Sequence, residues 1–489
     1  MSRVLQALAG AVAFVAVCVA AVLLVAPDER RGEAPGGSTP ERTYVDSDGD
    51  GALERGPGEP LVDRSELAPA SPTGRQLALF AQISDAHVRD EESPARLPFL
   101  DRLGPPFTTS FRPQEALSAR VLAAAVESIN RLEPDVVVTT GDLIDNAQRN
   151  ELDEALAVLG GGVVDPESGV PGYAGVQSPD NPDPLYYRAD VDAPRHPGLL
   201  ALAQEPFESP GLRAPWYPVV GNHDVLLQGE LAASARTRRV AVGRRAVTEL
   251  DPALTAAADD ERVLDPRIVN RLLARGLPGE TARIPPDPGR RPLDPSELVG
   301  RLRAASGADG SGPLLDYSFD IGPAVRGIVL DLARRDAGSG GLVRPEQLSW
   351  LRSELERAGQ RWVVVFSHQP LRSSAGGDRA LELLDRSPRV VAAVAGHRHR
   401  NSIAPRRSAR GGYWLVETAS LADYPQQARA FRLVETASGV ALESWMLDHT
   451  GGALAGVSRE LAYLDAQGGR PRMLAGGRRD RNVRLFHPG

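Results

Sequence analysis

The chain has 489 residues, 42% of them hydrophobic and 25% charged, which is enough apolar material for a packed core. Its positive charge is carried entirely by Arg, and 64 acidic against 56 basic residues leave a net charge of −8, which argues against sequence-independent grip on a nucleic-acid backbone. The single cysteine, Cys18, excludes an intramolecular disulfide and any cysteine-based zinc site, so a metal must be held by His, Asp, Glu or Asn.

From Val4 to Ala26 the chain is apolar except for Gln6, and Arg3 precedes the run. That length can cross a bilayer as a helix, so residues 1–26 read as a signal peptide or an uncleaved signal-anchor helix. The expectation is an exported protein, extracellular or in the cell envelope, touching the membrane through this helix if it is not cleaved. Residues 27–76 read as a Pro/Gly-rich tether and lead-in. Within them Asp46-Ser-Asp48-Gly-Asp50-Gly51 resembles the first half of a calcium loop. Its twelfth position is Pro57, where a bidentate Glu is required, so an acidic Gly-rich turn is the expectation.

An ordered domain is expected over 77–447. Leu77–Ile83, Val136–Thr139, Trp216–Val220, Arg326–Leu330, Trp362–Phe366 and Val390–Val394 are short apolar runs that stop at polar residues, as buried strands do. Gln114–Leu132 carries helical apolar spacing and ends at Pro134, and Pro345–Ala358 opens with proline as helices often do. Tyr413–Val416, Ala430–Val434 and Ala441–Trp445 predict further strands without helices between them. Alternating strands and helices imply a layered α/β fold. Two stretches, 147–214 and 225–313, are long for loops and are read as insertions. Residues 448–489 are left as a C-terminal extension.

Five short motifs follow these strands: Ser84-Asp85-Ala86-His87, Gly141-Asp142-Leu143-Ile144-Asp145-Asn146, Gly221-Asn222-His223-Asp224, Ser367-His368 and Gly396-His397-Arg398-His399. In an extended segment residues two apart project to one side, so Asp85 and His87 can share a metal, and His397 and His399 are again two imidazoles two residues apart. The same alternation points Arg398 away. Each motif alone is commonplace. Together, in one order and each after an apolar strand, they take in five of the 8 histidines and define a metal site.

The order DxH, GDxxDN, GNHD, SH, GHxH resembles the calcineurin-like metallophosphoesterase superfamily over roughly residues 77–447, and the extended first motif with the long insertions resembles an exported actinobacterial subgroup. The resemblance implies an α/β metallophosphoesterase fold, a central β-sandwich flanked by helices. It implies that Asp85, His87 and His399 hold one metal, that Asn222, His368 and His397 hold another, and that Asp142 bridges them. It further implies hydrolysis of a phosphomonoester or phosphodiester by attack of a metal-bridging hydroxide, with His223 assisting the leaving group and Asp145 orienting His223. Oxygen and imidazole ligands suit Fe, Mn or Zn. Asp224 and Asn146 are candidate supports. The expected partner is a small-molecule phosphate ester. The alternative is a non-catalytic envelope scaffold that retains a structural metal site.

Overall fold

Runs such as Val136–Thr140, five buried residues of which three are valine, can only be strands covered on both faces, and such strands build the core. The computed structural model describes residues 38–98, 101, 110–249, 279–449, 452–468 and 475–489. Two sheets dominate. The seven-stranded sheet runs in the order Val62–Arg64, Val483–Pro488, Gly439–Asp448, Gln427–Thr436, Thr73–Ile83, Val136–Thr140, Trp216–Val219, and its last three strands are parallel. The six-stranded sheet runs Tyr317–Ile321, Val325–Leu330, Trp362–Ser367, Val390–Ala395, Tyr413–Glu417, Ser402–Arg406, with its four central strands parallel and an antiparallel strand at each edge.

Side-chain alternation decides what each face meets. Val364 and Phe366 join the core between the sheets, where Phe366 meets Phe80 edge-on at 5.9 Å and Phe80 stacks on Phe431 at 4.8 Å. Their neighbours Val363 and Val365 turn the other way, onto Leu351 of helix Pro345–Ala358 and Leu381 and Leu384 of helix Gly377–Asp385. Helix Ser118–Leu132 buries Val121, Leu122, Val126 and Ile129 against strands Gln427–Thr436 and Gly439–Asp448. It stops at Glu133, left-handed at φ 51°, because Pro134 follows. The result is the expected layered α/β architecture, a β-sandwich flanked by helices.

Three regions differ from the sequence reading in detail. The seven-stranded sheet reaches beyond 77–447 at both ends, since Val483–Pro488 pairs with Gly439–Asp448 and Val62–Arg64 pairs with Val483–Pro488. Such short strands, isolated by Gly- and Arg-rich sequence, carry little periodic signal. The stretch 147–214 opens with helix Arg149–Gly160, which buries Leu152, Ala155, Val158 and Leu159 and lies in the crossover between the parallel strands Val136–Thr140 and Trp216–Val219. The stretch 225–313 contains helices Ala235–Ala241 and Pro295–Ser306 and an antiparallel pair, Arg245–Val247 with Thr281–Arg283.

The acidic turn at Asp46 uses its own carboxylate, which accepts hydrogen bonds from Gly49 N at 2.8 Å, Gly51 N at 3.1 Å and the Tyr463 hydroxyl at 3.0 Å. The apolar run Val4–Ala26 lies outside the described residues. Among the described residues no helix is long and apolar enough to cross a membrane.

Candidate metal centre

Six parallel strand ends meet at one edge of the sandwich, where open α/β sheets gather their functional loops. Strands Thr73–Ile83, Val136–Thr140 and Trp216–Val219 deliver Asp85 and His87, Asp142 and Asp145, and Asn222 and His223. From the facing sheet, Trp362–Ser367 and Val390–Ala395 deliver His368, and His397 with His399, and Tyr413–Glu417 leads to Asp423. Beyond the strand ends the first two loops continue side by side: Asp85 N donates to Gly141 O, His87 N to Asp142 O and Asp145 N to Val88 O, at 3.0–3.1 Å.

Two overlapping ligand sets result. Asp85, His87, Asp142 and His399 each offer a ligand atom within 4.8 Å of the others, and Asp142, His368 and His397 do the same. Asn222 joins the second set, its Oδ1 standing 3.1 Å from both His368 Nε2 and His397 Nδ1. Asp142 is common to both, with Oδ2 3.0 Å from His368 Nε2 and 3.9 Å from His87 Nε2. All seven expected ligands are therefore brought together.

The outer nitrogens fix what the inner ones present. His368 Nδ1 faces the Thr140 carbonyl at 2.8 Å, which only accepts, so a neutral His368 turns a bare Nε2 lone pair inward. His87 Nδ1 meets the Asp145 carboxylate at 2.9 Å and His399 Nδ1 meets Asp423, leaving His87 Nε2 and His399 Nε2 facing each other at 3.1 Å. His397 Nδ1 and His368 Nε2 face each other at 3.2 Å. Lone pairs this close repel unless a cation or a proton lies among them, so the donor set fits metal ions.

The electrostatics state the same demand. Burial opposes charge on His368, yet Asp142 and Asp85 raise it to about 9. Burial likewise opposes charge on His399, while Asp85 and Asp423 raise it to about 9. Burial lowers His87 and His397 to about 3. Burial would raise Asp142 and Asp145, but neighbouring His368 and His223 for the first, and Arg89 and His87 for the second, hold both carboxyls well below their usual range. Without a metal, protons on His368 and His399 supply the positive charge that the carboxylates require.

The backbone is not the extended one expected of these motifs. Asp85, His87, Asp142, His397 and His399 have φ of 51°, 46°, 48°, 69° and 49°, in the left-handed region that side-chain-bearing residues seldom occupy. Five such residues, each costing about 1–3 kcal/mol, concentrate at the ligand positions, as strain does at functional sites. Alternating kinks, not a flat strand, aim each Asp–His or His–His pair inward. Arg398, between two ligands, is exposed, in keeping with its expected outward direction.

Asp145 also differs from its expected role. Its carboxylate is closer to His87 Nδ1, at 2.9 Å, than to His223 Nδ1, at 3.6 Å. His223 is instead oriented by the Asp145 main-chain carbonyl, 2.6 Å from its Nδ1, and its backbone N donates to Asp142 Oδ1 at 2.8 Å. Asp224 supports the turn as expected, accepting from Gly221 N at 2.7 Å and Ile144 N at 3.1 Å, and Asn146 Oδ1 accepts from Gln228 N at 2.6 Å. Sequence reasoning missed Asp423, the partner of His399, and Arg112, whose Nε donates to Asp423 Oδ1 at 2.6 Å. No local spacing marks either one, because the Arg112–Asp423 pair spans 311 residues.

The sequence matches no protein-family model and no curated protein. Among solved structures the chain is similar to a dimetal phosphatase from Danio rerio, with 15% identity and a TM-score of 0.40, covering 77% of this chain and 98% of that one. It is similar to PhoD with 13% identity and a TM-score of 0.32, covering 85% and 80%. It is also similar to a purple acid phosphatase from yellow lupin (Lupinus luteus) seeds, with 12% identity and a TM-score of 0.33, covering 82% of this chain and 55% of that one. Likenesses this distant say nothing of chemistry, which must be read from the site itself.

Proposed function

We propose that the chain is a binuclear metal-dependent phosphoesterase that hydrolyses a small-molecule phosphomonoester or phosphodiester. The observation that carries this reading is the convergence of imidazole nitrogens and carboxylate oxygens into two sets that share Asp142. Asp85, His87 and His399 would hold one ion, Asn222, His368 and His397 the other, with Asp142 between them. Bound there, Fe, Mn or Zn would supply the Lewis acidity that neutralises charge on a phosphoryl group and makes water acidic near neutral pH.

The remaining steps belong to the chain's own side chains. Asp142 Oδ1, accepting from His223 N, keeps its carboxylate turned to both sets. His223 commits Nδ1 to the Asp145 carbonyl, and its side chain is 17% exposed where Asp85, His87, Asp142, Asn222 and His368 are buried. Nε2 is thus the atom that can hand a proton to a departing ester oxygen. That role predicts a loss of about 10²–10⁴ in kcat for His223→Asn, with metal content unchanged.

The test is hydrolysis of bis-p-nitrophenyl phosphate and p-nitrophenyl phosphate by the purified protein with added Mn, Zn or Fe, beside Asp142→Asn and His223→Asn. Turnover that requires metal and disappears in Asp142→Asn supports the proposal, and the preferred reporter separates diester from monoester chemistry. Bound metal without turnover on a broad panel of phosphate esters would favour a structural metal site instead.

A further inference from the structure

The stretch 225–313 gathers arginines that the metal centre does not use. In helix Ala235–Ala241 residues three and four apart share a side, so Arg236, Arg239 and Val240 form one face. Arg238 lies on the other side, where Nη2 meets Asp294 Oδ1 at 2.5 Å and Nη1 donates to the Pro292 carbonyl at 2.6 Å. The chain then turns back through Arg244 into the strand Arg245–Val247. Arg236, Arg239, Val240, Gly243, Arg244 and Arg245 line an open groove of about 470 Å³, with four guanidinium groups and no carboxylate.

The charge on this surface is uncompensated. Elsewhere in the same stretch arginines meet carboxylates, Arg291 with Glu297 and Arg301 with Asp153, each at 2.5 Å. Arg239, Arg244, Arg245 and Arg283 are exposed, and among the described residues none of their side chains has a hydrogen bond or an ion pair. The register of the antiparallel pair sets Arg245 directly opposite Arg283. Side chains so placed stand about 4.5–5.5 Å apart at Cβ, and like charges there are destabilising. The pair has only three residues in each strand, too few to hold together strongly by itself. The helix C-terminus, where cations are favoured, accounts for Arg238 and Arg239 but not for Arg244, Arg245 and Arg283. Nor does composition explain the gathering, in a chain whose net charge is −8.

We propose that this face binds an anion carrying at least two adjacent phosphate groups, gripped by Arg239, Arg244, Arg245 and Arg283. Guanidinium forks match the paired oxygens of phosphate, and a single carboxylate would neutralise only one of the charges. The same chemistry is presented by a soluble polyphosphorylated molecule and by neighbouring headgroups of anionic phospholipids. The groove is separate from the metal centre but near it. A Cβ on Gly229 would stand 2.4 Å from Asn222 and His223, and Arg236 follows Gly229 by seven residues, a span of at most about 25 Å. A phosphate-rich molecule or surface held there is kept beside the metal centre.

The test titrates the full chain with inorganic tripolyphosphate in a calorimeter at low and high salt, with a thermal melt confirming that each variant is folded. Wild type should show saturable binding that weakens as salt rises. Asp142→Asn, which disables the metal centre, should retain this site. Arg244→Gln combined with Arg245→Gln should weaken it at least about tenfold. Arg283→Gln should weaken it too, yet melt no lower than wild type without the anion, because it relieves the repulsion opposite Arg245. A second arm sediments the protein with vesicles of phosphatidylglycerol in phosphatidylcholine. Capture that the arginine variants lose assigns the phosphates to lipid headgroups, and tripolyphosphate binding without capture assigns them to a soluble molecule. Binding to neither probe, binding unaltered by the arginine substitutions, or binding abolished in Asp142→Asn overturns the proposal. The metal-dependent reading stands or falls separately, on the hydrolysis assay.

Discussion

A methyl group on Gly221 would stand 2.1 Å from Asp142 Oδ1 and 2.3 Å from the Asp142 main-chain nitrogen. The position is closed to any other residue because the shared carboxylate is packed directly against the bare backbone. Gly141 is constrained twice, by φ of 85° and by the ring of His368, 2.6 Å from where its Cβ would be. Gly221→Ala is therefore expected to displace Asp142, reducing bound metal below one equivalent and turnover at least tenfold, at about 1–3 kcal/mol of stability. Metal analysis with a urea titration checks both effects. A second expectation concerns His368 and His399, each raised to about 9 in the metal-free protein. A histidine with a raised folded-state pKa contributes stability that is complete below about 6.5 and lost as pH rises through about 9. Buried Glu151, raised to about 8 chiefly by burial, acts in the same direction up to that pH. Metal-free protein should thus melt at steadily lower temperature from pH 6.5 to 9, and a flat profile between 8 and 9 would contradict the histidine assignment. Metal must displace those protons, so its affinity should rise over the same window. At this scale the converging Asp, Asn and His side chains were legible because each motif places a recognisable donor type after a strand. Asp423 and Arg112 were not, since their meaning lies in pairings that cross most of the chain. The kinked backbone was also hidden, because a left-handed aspartate looks like any other in sequence.

Among elements, the strands were readable from their valine-rich runs, with ends misplaced by a few residues at most for Val136–Thr140, Trp362–Ser367 and Val390–Ala395. Helix Arg149–Gly160 was lost within a stretch whose later residues are dominated by Gly and Pro. The strand Val483–Pro488 was lost because its pairing with Gly439–Asp448 is fixed by tertiary contact, not by local pattern. Segment 279–294 shows how the second long stretch is attached. Arg290 is fully buried, its Nε 2.8 Å from Asp90 Oδ2 and its Nη2 3.2 Å from Glu92 Oε2 and 2.7 Å from Ser168 Oγ. One guanidinium thereby joins the first motif's continuation to both stretches read as insertions. Arg290→Ala leaves two buried carboxylates without their cation, a loss of about 3–5 kcal/mol. The expected result is a lower urea midpoint and earlier proteolytic cleavage within 147–214 or 225–313. A variant as stable and as resistant as wild type would show that these stretches are held by other contacts.

The molecule as a whole is organised around the junction of two sheets. Asp85, Asp142 and Asn222 come from the seven-stranded sheet and His368, His397 and His399 from the six-stranded one, so neither sheet holds either ligand set alone. The same strands that pack Phe80 against Phe366 between the sheets carry these residues to one edge, so core packing and site geometry are one arrangement. The layered α/β fold was legible in the alternation of strands and helices. The participation of Val62–Arg64 and Val483–Pro488 in the same sheet was not. A binuclear mechanism requires that both metal positions be filled for catalysis. The direct measurement is initial rate of phosphate-ester hydrolysis as metal is added to metal-free protein in counted equivalents. No turnover is expected without metal, little at one equivalent, and a rise that levels off at two. Full activity in metal-free protein, or a plateau at one equivalent, would contradict the binuclear mechanism.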